Sequence, residues 1–166
     1  MKDFFDTLDV RKFKTKISYG SNEITGMILY KKLNDSINAG TFINEFGIKG
    51  FDFKLAGGRV KTENLIKNIN KWYIRKSLES DLLFLFLRPK MVLPCSIDNT
   101  LVYVSNVNHS LHYVYYLDTT SMLKAKIYKR SKNTADMVQY YDGASGMIIK
   151  LKHTKGNLNY ELSEFK

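Results

Sequence analysis

The hydrophobic pattern changes period along the chain. From 48 to 56 it alternates, with Phe51, Phe53 and Leu55 on one side and Asp52 and Lys54 on the other, which predicts a half-buried strand ended by Gly57 and Gly58. Residues 14–19 are a shorter strand candidate closed by Gly20, Ser21 and Asn22. Between the two, Ile24, Met27, Ile28, Leu33 and Ile37 recur at roughly helical spacing, which predicts a helix ended by Gly40. Residues 41–46 add a helical turn before Gly47.

The clearest amphipathic stripe follows. Thr62 is a good N-cap, and Leu65, Ile66, Ile69, Trp72 and Tyr73 lie on one face of a helix predicted over 62–79. Ser80 and Asp81 interrupt the pattern, and the continuous apolar run at 82–87 reads as a buried strand in preference to a second helix. Beyond Pro89 and Pro94, apolar runs at 101–104, 111–117, 122–128, 137–141, 147–151 and 158–162 alternate with polar turns. This spacing predicts an antiparallel β-meander. The expected fold class is therefore α+β: an N-terminal helical or mixed half with one long amphipathic helix, then a C-terminal meander. The 166 residues suit a single domain, with a possible division between 1–94 and 95–166.

Composition narrows the classes of function. Hydrophobic residues make up 44% of the chain, enough for a packed core, so wholesale disorder is excluded. Twenty-six Lys and Arg against sixteen Asp and Glu leave a net charge of +10, which attracts phosphate, acidic protein surfaces or anionic lipid heads. Most of those bases are Lys, which favours diffuse attraction over bidentate recognition of single groups. A lone cysteine, Cys95, excludes an intramolecular disulfide and fits a reducing compartment. The first thirteen residues carry Asp3, Asp6 and Asp9 and lack the apolar run of a secretory signal, and no segment approaches the twenty or so apolar residues of a membrane helix. Lys, Ile, Asn and Tyr, all encodable by A and T alone, are abundant; this suggests an AT-rich genome such as that of a phage, and a cytoplasmic or virion location.

Two basic patterns are candidate binding features. Lys67, Lys71 and Arg75 lie four apart on the predicted helix, opposite Trp72, with Arg59 and Lys61 in the turn that leads into it. In the second half, Lys124, Lys126 and Arg130 alternate with Leu123, Ala125 and Ile127, and Lys150 and Lys152 alternate with Ile149 and Leu151. Close together in one meander, these bases and nearby tyrosines would form a positive, stacking-capable surface for nucleic acid or an acidic partner. An ordinary sheet with one wet face has the same alternation.

Catalytic motifs are weaker. Asp52 and Lys54 form an acid-x-Lys step, and with Asp35 or Glu45 as a second acid they could hold Mg²⁺ and activate water. The strand, helix, strand order over 22–87 loosely resembles the PD-(D/E)xK nuclease core, which would imply a Mg²⁺-dependent nuclease. The family's Pro-Asp step is absent, and residue frequencies give about two acid-x-Lys triplets by chance, the other being Glu164, Phe165 and Lys166. His109 and His112 point to opposite faces of a strand, His153 lacks the acid of a phosphodiesterase motif, and no nucleophile elbow occurs. The sequence thus predicts a non-enzymatic basic binding or assembly protein without metal or cofactor. The leading expectation is an oligomeric structural subunit of a phage or virus-like particle, at a portal, neck or tail ring, meeting protein subunits and DNA or RNA but no membrane. A nucleic-acid-binding protein, the nuclease, and a small phage-encoded inhibitor of a host defence complex are the alternatives.

Overall fold

The computed structural model describes residues 10–67, 70–86, 94–97, 100–107, 110–116, 123–131, 134–143, 146–153 and 158–165, with side chains described for 10–18, 20–67, 70–86, 146–153 and 159–165. The described chain is mostly one antiparallel sheet with a single helix. Its strands are β1 (Arg11–Tyr19), β2 (Asn22–Lys32), β3 (Ile37–Asn44), β4 (Lys49–Ala56), β5 (Arg59–Glu63), β6 (Pro94–Ile97), β7 (Thr100–Val107), β8 (Ser110–Tyr116), β9 (Leu123–Ser131), β10 (Thr134–Gly143), β11 (Gly146–Lys152) and β12 (Leu158–Phe165). The helix α1 (Trp72–Leu85) lies between β5 and β6 in the chain. The strand order is β5-β4-β3-β2-β1-β12-β11-β10-β9-β8-β7-β6, so two meanders meet where β12 pairs with β1. The seven contiguous strands from β5 to β11 carry the described side chains.

One face of these seven strands is the core. Directly opposed residues share a face, so Glu164, Phe13, Ile28, Phe42 and Phe51 form one transverse row, and Tyr30, Gly40, Phe53 and Thr62 another. Helix α1 covers this face with Leu78, Leu82 and Leu85, spaced for one stripe, and with Phe84. Fully burying each such side chain is worth about 1.5–3 kcal/mol. Phe86, just past the helix, stacks on Tyr30 at 4.5 Å and 7° and also meets Phe53 and Phe13. Gly40 makes room for this cluster: a Cβ there would collide with the Phe53 ring.

The expected α+β fold with a helical N-terminal half is therefore corrected. The predicted helix over 24–40 is the hairpin of β2 and β3. β2 buries Ile28 and Tyr30 on the core face while Met27 and Leu29 are half-buried on the other, so apolar residues on both faces erase the period of two and imitate a helix. The turn of helix expected at 41–46 belongs largely to β3. The long helix over 62–79 is also replaced. Thr62 lies in β5, where its amide and hydroxyl both donate to Glu79 at 2.8 Å, and Asn64, at φ 54°, turns the chain out of the strand. The helix starts ten residues later and runs through Ser80 and Asp81 into 82–85, the segment expected to be a strand. Trp72 and Tyr73, assigned to the apolar stripe, are exposed.

Both sheet edges are short. β5 has five residues and β6 four, the latter opening on Pro94, which has no N–H to offer a neighbouring strand. On β5 the Glu79 carboxylate from α1 takes up the Thr62 N–H.

Candidate functional site

The other face of the sheet is left uncovered by α1. Across β1 to β5, β11 and β12 it presents ten cations: Lys12, Lys14, Lys16, Lys31, Lys49, Lys54, Arg59, Lys61, Lys150 and Lys152. The four carboxylates on its strands are each held by one lysine, in the pairs Lys16–Glu23 at 2.6 Å, Lys49–Asp52 at 3.0 Å, Lys54–Glu63 at 3.5 Å and Lys150–Glu161 at 3.4 Å, and Glu45 in the β3–β4 turn is held by the Thr25 hydroxyl. Six cations remain without an ion-pair partner among the described residues: Lys12, Lys14, Lys31, Arg59, Lys61 and Lys152. The face is net positive after its internal pairing is complete.

This face is not uniformly polar. Ile148, Ser163, Lys14, Met27 and Ile43 stand opposite one another in a row across β11, β12, β1, β2 and β3. With Phe165 they line a groove of about 710 Å³, so one lysine sits among apolar walls. The β3–β4 turn borders the groove through Glu45 and Gly47. Within that turn Asn44 Oδ1 accepts from the amides of Phe46 and Ile48, a side-chain-braced turn that holds both residues outward, and Phe46 is 79% exposed. A large exposed aromatic beside an apolar groove is a feature of interaction surfaces.

The predicted basic residues are dispersed around this face and beyond it. Arg59 and Lys61 lie on edge strand β5, and Lys150 and Lys152 on β11 at the other side of the described sheet. Lys67, Lys71 and Arg75 do not form one helical row: Lys67 precedes α1, Lys71 is its N-cap residue, and Arg75 in the first turn donates to Asn70 Oδ1 at 2.6 Å. For Lys124, Lys126 and Arg130 the side chains lie outside the described residues, as do those of Cys95 and His112, and His109 is wholly outside them. The β9 backbone places Lys126 opposite Gln139 of β10, which is itself opposite Lys150, whereas Lys124 falls at a register shift. Sequence reading missed Lys12, Lys14, Met27 and Ile43, because the groove is assembled from strands remote in sequence and no local spacing encodes it.

The acid-x-Lys step is built into this face as structure. Asp52 accepts from the Thr41 hydroxyl, from Asn64 Nδ2 at 2.7 Å and from Lys49 at 3.0 Å. Burial raises its pKa, but hydrogen bonds from Asn64, Thr41 and Lys49 outweigh that and leave it below the ordinary carboxylate value. Lys54 is paired with Glu63. Asp35 bonds Lys32, and Glu45 accepts from Thr25 at 2.5 Å. Among the described residues no three His, Cys, Asp or Glu side chains gather as a metal-ligand group.

A second polar cluster lies on the core side. Asp81 of α1 accepts from the Tyr160 hydroxyl at 2.7 Å, and His153 Nε2 lies 3.3 Å from its other oxygen. Burial first, then the adjacent Asp81 charge and the hydrogen bond to it, holds the Tyr160 pKa well above its ordinary value.

No helix among the described residues is long and apolar enough to cross a membrane. No protein-family model matches the chain, and no curated protein matches its sequence.

Proposed function

We propose that the chain is a non-enzymatic assembly subunit whose uncovered sheet face docks an acidic, partly apolar surface of another protein. The observation that supports this most is the charge pairing of that face. Each carboxylate on the strands of that face is already neutralised by a lysine, Glu45 at the rim of the groove is held by the Thr25 hydroxyl, six cations are left over, and a largely apolar groove surrounds one of them, Lys14. A partner that places a carboxylate on Lys14 and apolar side chains on Met27, Ile43 and Phe165 gains both charge pairing and burial.

The partner is a different chain. Two copies meeting through this face would set lysine against lysine, which costs binding energy. A nucleic acid is the second reading for the face, and the distribution of aromatics disfavours it. Phe13, Tyr30, Phe42, Phe51, Phe53 and Tyr160 are all buried on the helix side, and among the described residues the outer face and its bordering turn offer two rings for stacking, Phe165 and Phe46. Placement in a particle such as a virion, or in the cytoplasm, belongs to this proposal and rests on the AT-codable composition. Charge reversal at Lys14 tests the docking directly.

A further inference from the structure

Around the start of α1 the surface has a different character from the sheet face. From Asn64 to Leu78 the chain contains no acidic residue and four cations, Lys67, Lys71, Arg75 and Lys76. Within this segment Trp72 is 77% exposed and Tyr73 52%. Their rings meet edge to face, at 6.1 Å and 88°, so the indole has no parallel-stacked partner among the described residues. Beside it lies a cleft of about 280 Å³ lined by Asn70, Trp72, Arg75, Lys76 and Glu79. Arg75 is held in place by Asn70, and Glu79 is held by the amide and hydroxyl of Thr62.

We propose that this end of α1 is a contact for single-stranded nucleic acid, in which a base stacks on Trp72 and the neighbouring phosphates are met by Lys71, Arg75 and Lys76. Exposing an indole to water is unfavourable, and its surroundings indicate what covers it. A tryptophan that anchors a protein interface sits within a ring of contacts that exclude water. Here, Tyr73 apart, the side chains that line the adjacent cleft are the amide of Asn70, the cations Arg75 and Lys76, and Glu79, whose carboxylate is engaged by Thr62. Alternating π-faces and positive charges are instead the arrangement that follows a single strand, whose bases are unstacked and whose backbone is anionic. A duplex keeps its bases stacked on one another and does not offer one to the indole. Because α1 packs on the core face, this contact lies on the opposite side of the sheet from the groove around Lys14, and the two sites are separable by mutation.

Trp72 is the one tryptophan of the chain, so its fluorescence reports this site alone. Titration with an oligo-dT of about fifteen nucleotides, within the range a single-strand site spans, is expected to quench that emission. The affinity should fall about ten-fold or more between roughly 50 and 200 mM salt, as release of counterions from a few phosphates requires. With a dye-labelled oligonucleotide, Trp72→Ala should weaken binding by about five- to 150-fold, the equivalent of one stacked base. Lys71→Glu should lower the affinity and flatten the salt dependence, and Lys14→Glu should change neither. Trp72 is exposed, so its variant keeps the fold, which the far-ultraviolet spectrum checks. Wild-type affinity in Trp72→Ala overturns the proposal, as does loss of binding in Lys14→Glu. Equal quenching by polyglutamate also overturns it, and would assign the patch to an acidic protein segment.

Discussion

The hydroxyl of Tyr160 on β12 donates a 2.7 Å hydrogen bond to the Asp81 carboxylate of α1, and both residues are at least 95% buried. This bond ties the helix to the middle of the sheet. Tyr160→Phe removes a hydrogen bond to a charged group and should cost about 1.5–3 kcal/mol in chemical denaturation, whereas a surface tyrosine would cost almost nothing. The same contact sets an alkaline limit. Folding raises the Tyr160 pKa, so above pH 10 the unfolded chain releases a proton that the folded chain retains. Stability is fully present below that pH and should decline above it, and the decline should be smaller in Tyr160→Phe.

Arg11 and Glu164 form a second, half-buried tie, between β1 and β12. Arg11 Nε and Nη2 reach the two carboxylate oxygens at 2.5 Å each, and Oε2 also accepts from the Met147 amide at 3.0 Å. One carboxylate thus joins the two meanders at β1, β12 and β11. Glu164→Ala leaves the guanidinium and that amide without this carboxylate and should destabilise by about 1.5–3 kcal/mol, the range for hydrogen bonds to a charged group. Replacing both charged residues together, Arg11→Met with Glu164→Leu, should cost less than Glu164→Ala alone. Thermal melts of the three variants check the order.

Gly40 carries the Phe53 ring on its backbone. Gly40→Ala places a methyl group against that ring, and the stack of Phe53 with Phe86 and Tyr30 must shift, for a loss of about 1–3 kcal/mol. Gly20 has no atom within 4 Å of its Cβ position, so Gly20→Ala should cost only the strain of its φ of +57°. The larger loss, and altered aromatic chemical shifts at Phe53, should belong to Gly40→Ala.

Glu79 covers an edge. By accepting from the Thr62 amide and hydroxyl it occupies a donor on β5 that another strand could use. Glu79→Ala should speed hydrogen exchange at the Thr62 amide and raise the concentration-dependent self-association seen in sedimentation. An unchanged exchange rate would show that the edge is guarded by other means.

Legibility in the sequence followed burial. β4 lies where alternation predicted a strand, because Phe51, Phe53 and Leu55 face the core while Asp52 and Lys54 face outward. β2 was illegible because Met27 and Leu29 line the outer face that carries the groove, so the residues that give that face its apolar character are those that hide its period. α1 was displaced because its buried stripe includes Asp81, a charged residue made tolerable by Tyr160 and His153 from distant strands. Basic positions such as Arg59, Lys61, Lys150 and Lys152 were visible one strand at a time. Which of them stay without a carboxylate depends on cross-strand pairing, and no single segment shows that.

The docking claim is tested most directly by fluorescence anisotropy with a labelled peptide of alternating Glu and Val, which as an extended strand offers carboxylates and apolar side chains together. Saturable binding that partly survives about 500 mM salt is expected, since apolar burial is not screened. Lys14→Glu should weaken it at least ten-fold, Trp72→Ala should leave it unchanged, and an alternating Lys and Val peptide should not bind. Binding that is indifferent to Lys14→Glu, or no preference for the acidic peptide over the basic one, would rule out docking through the groove around Lys14.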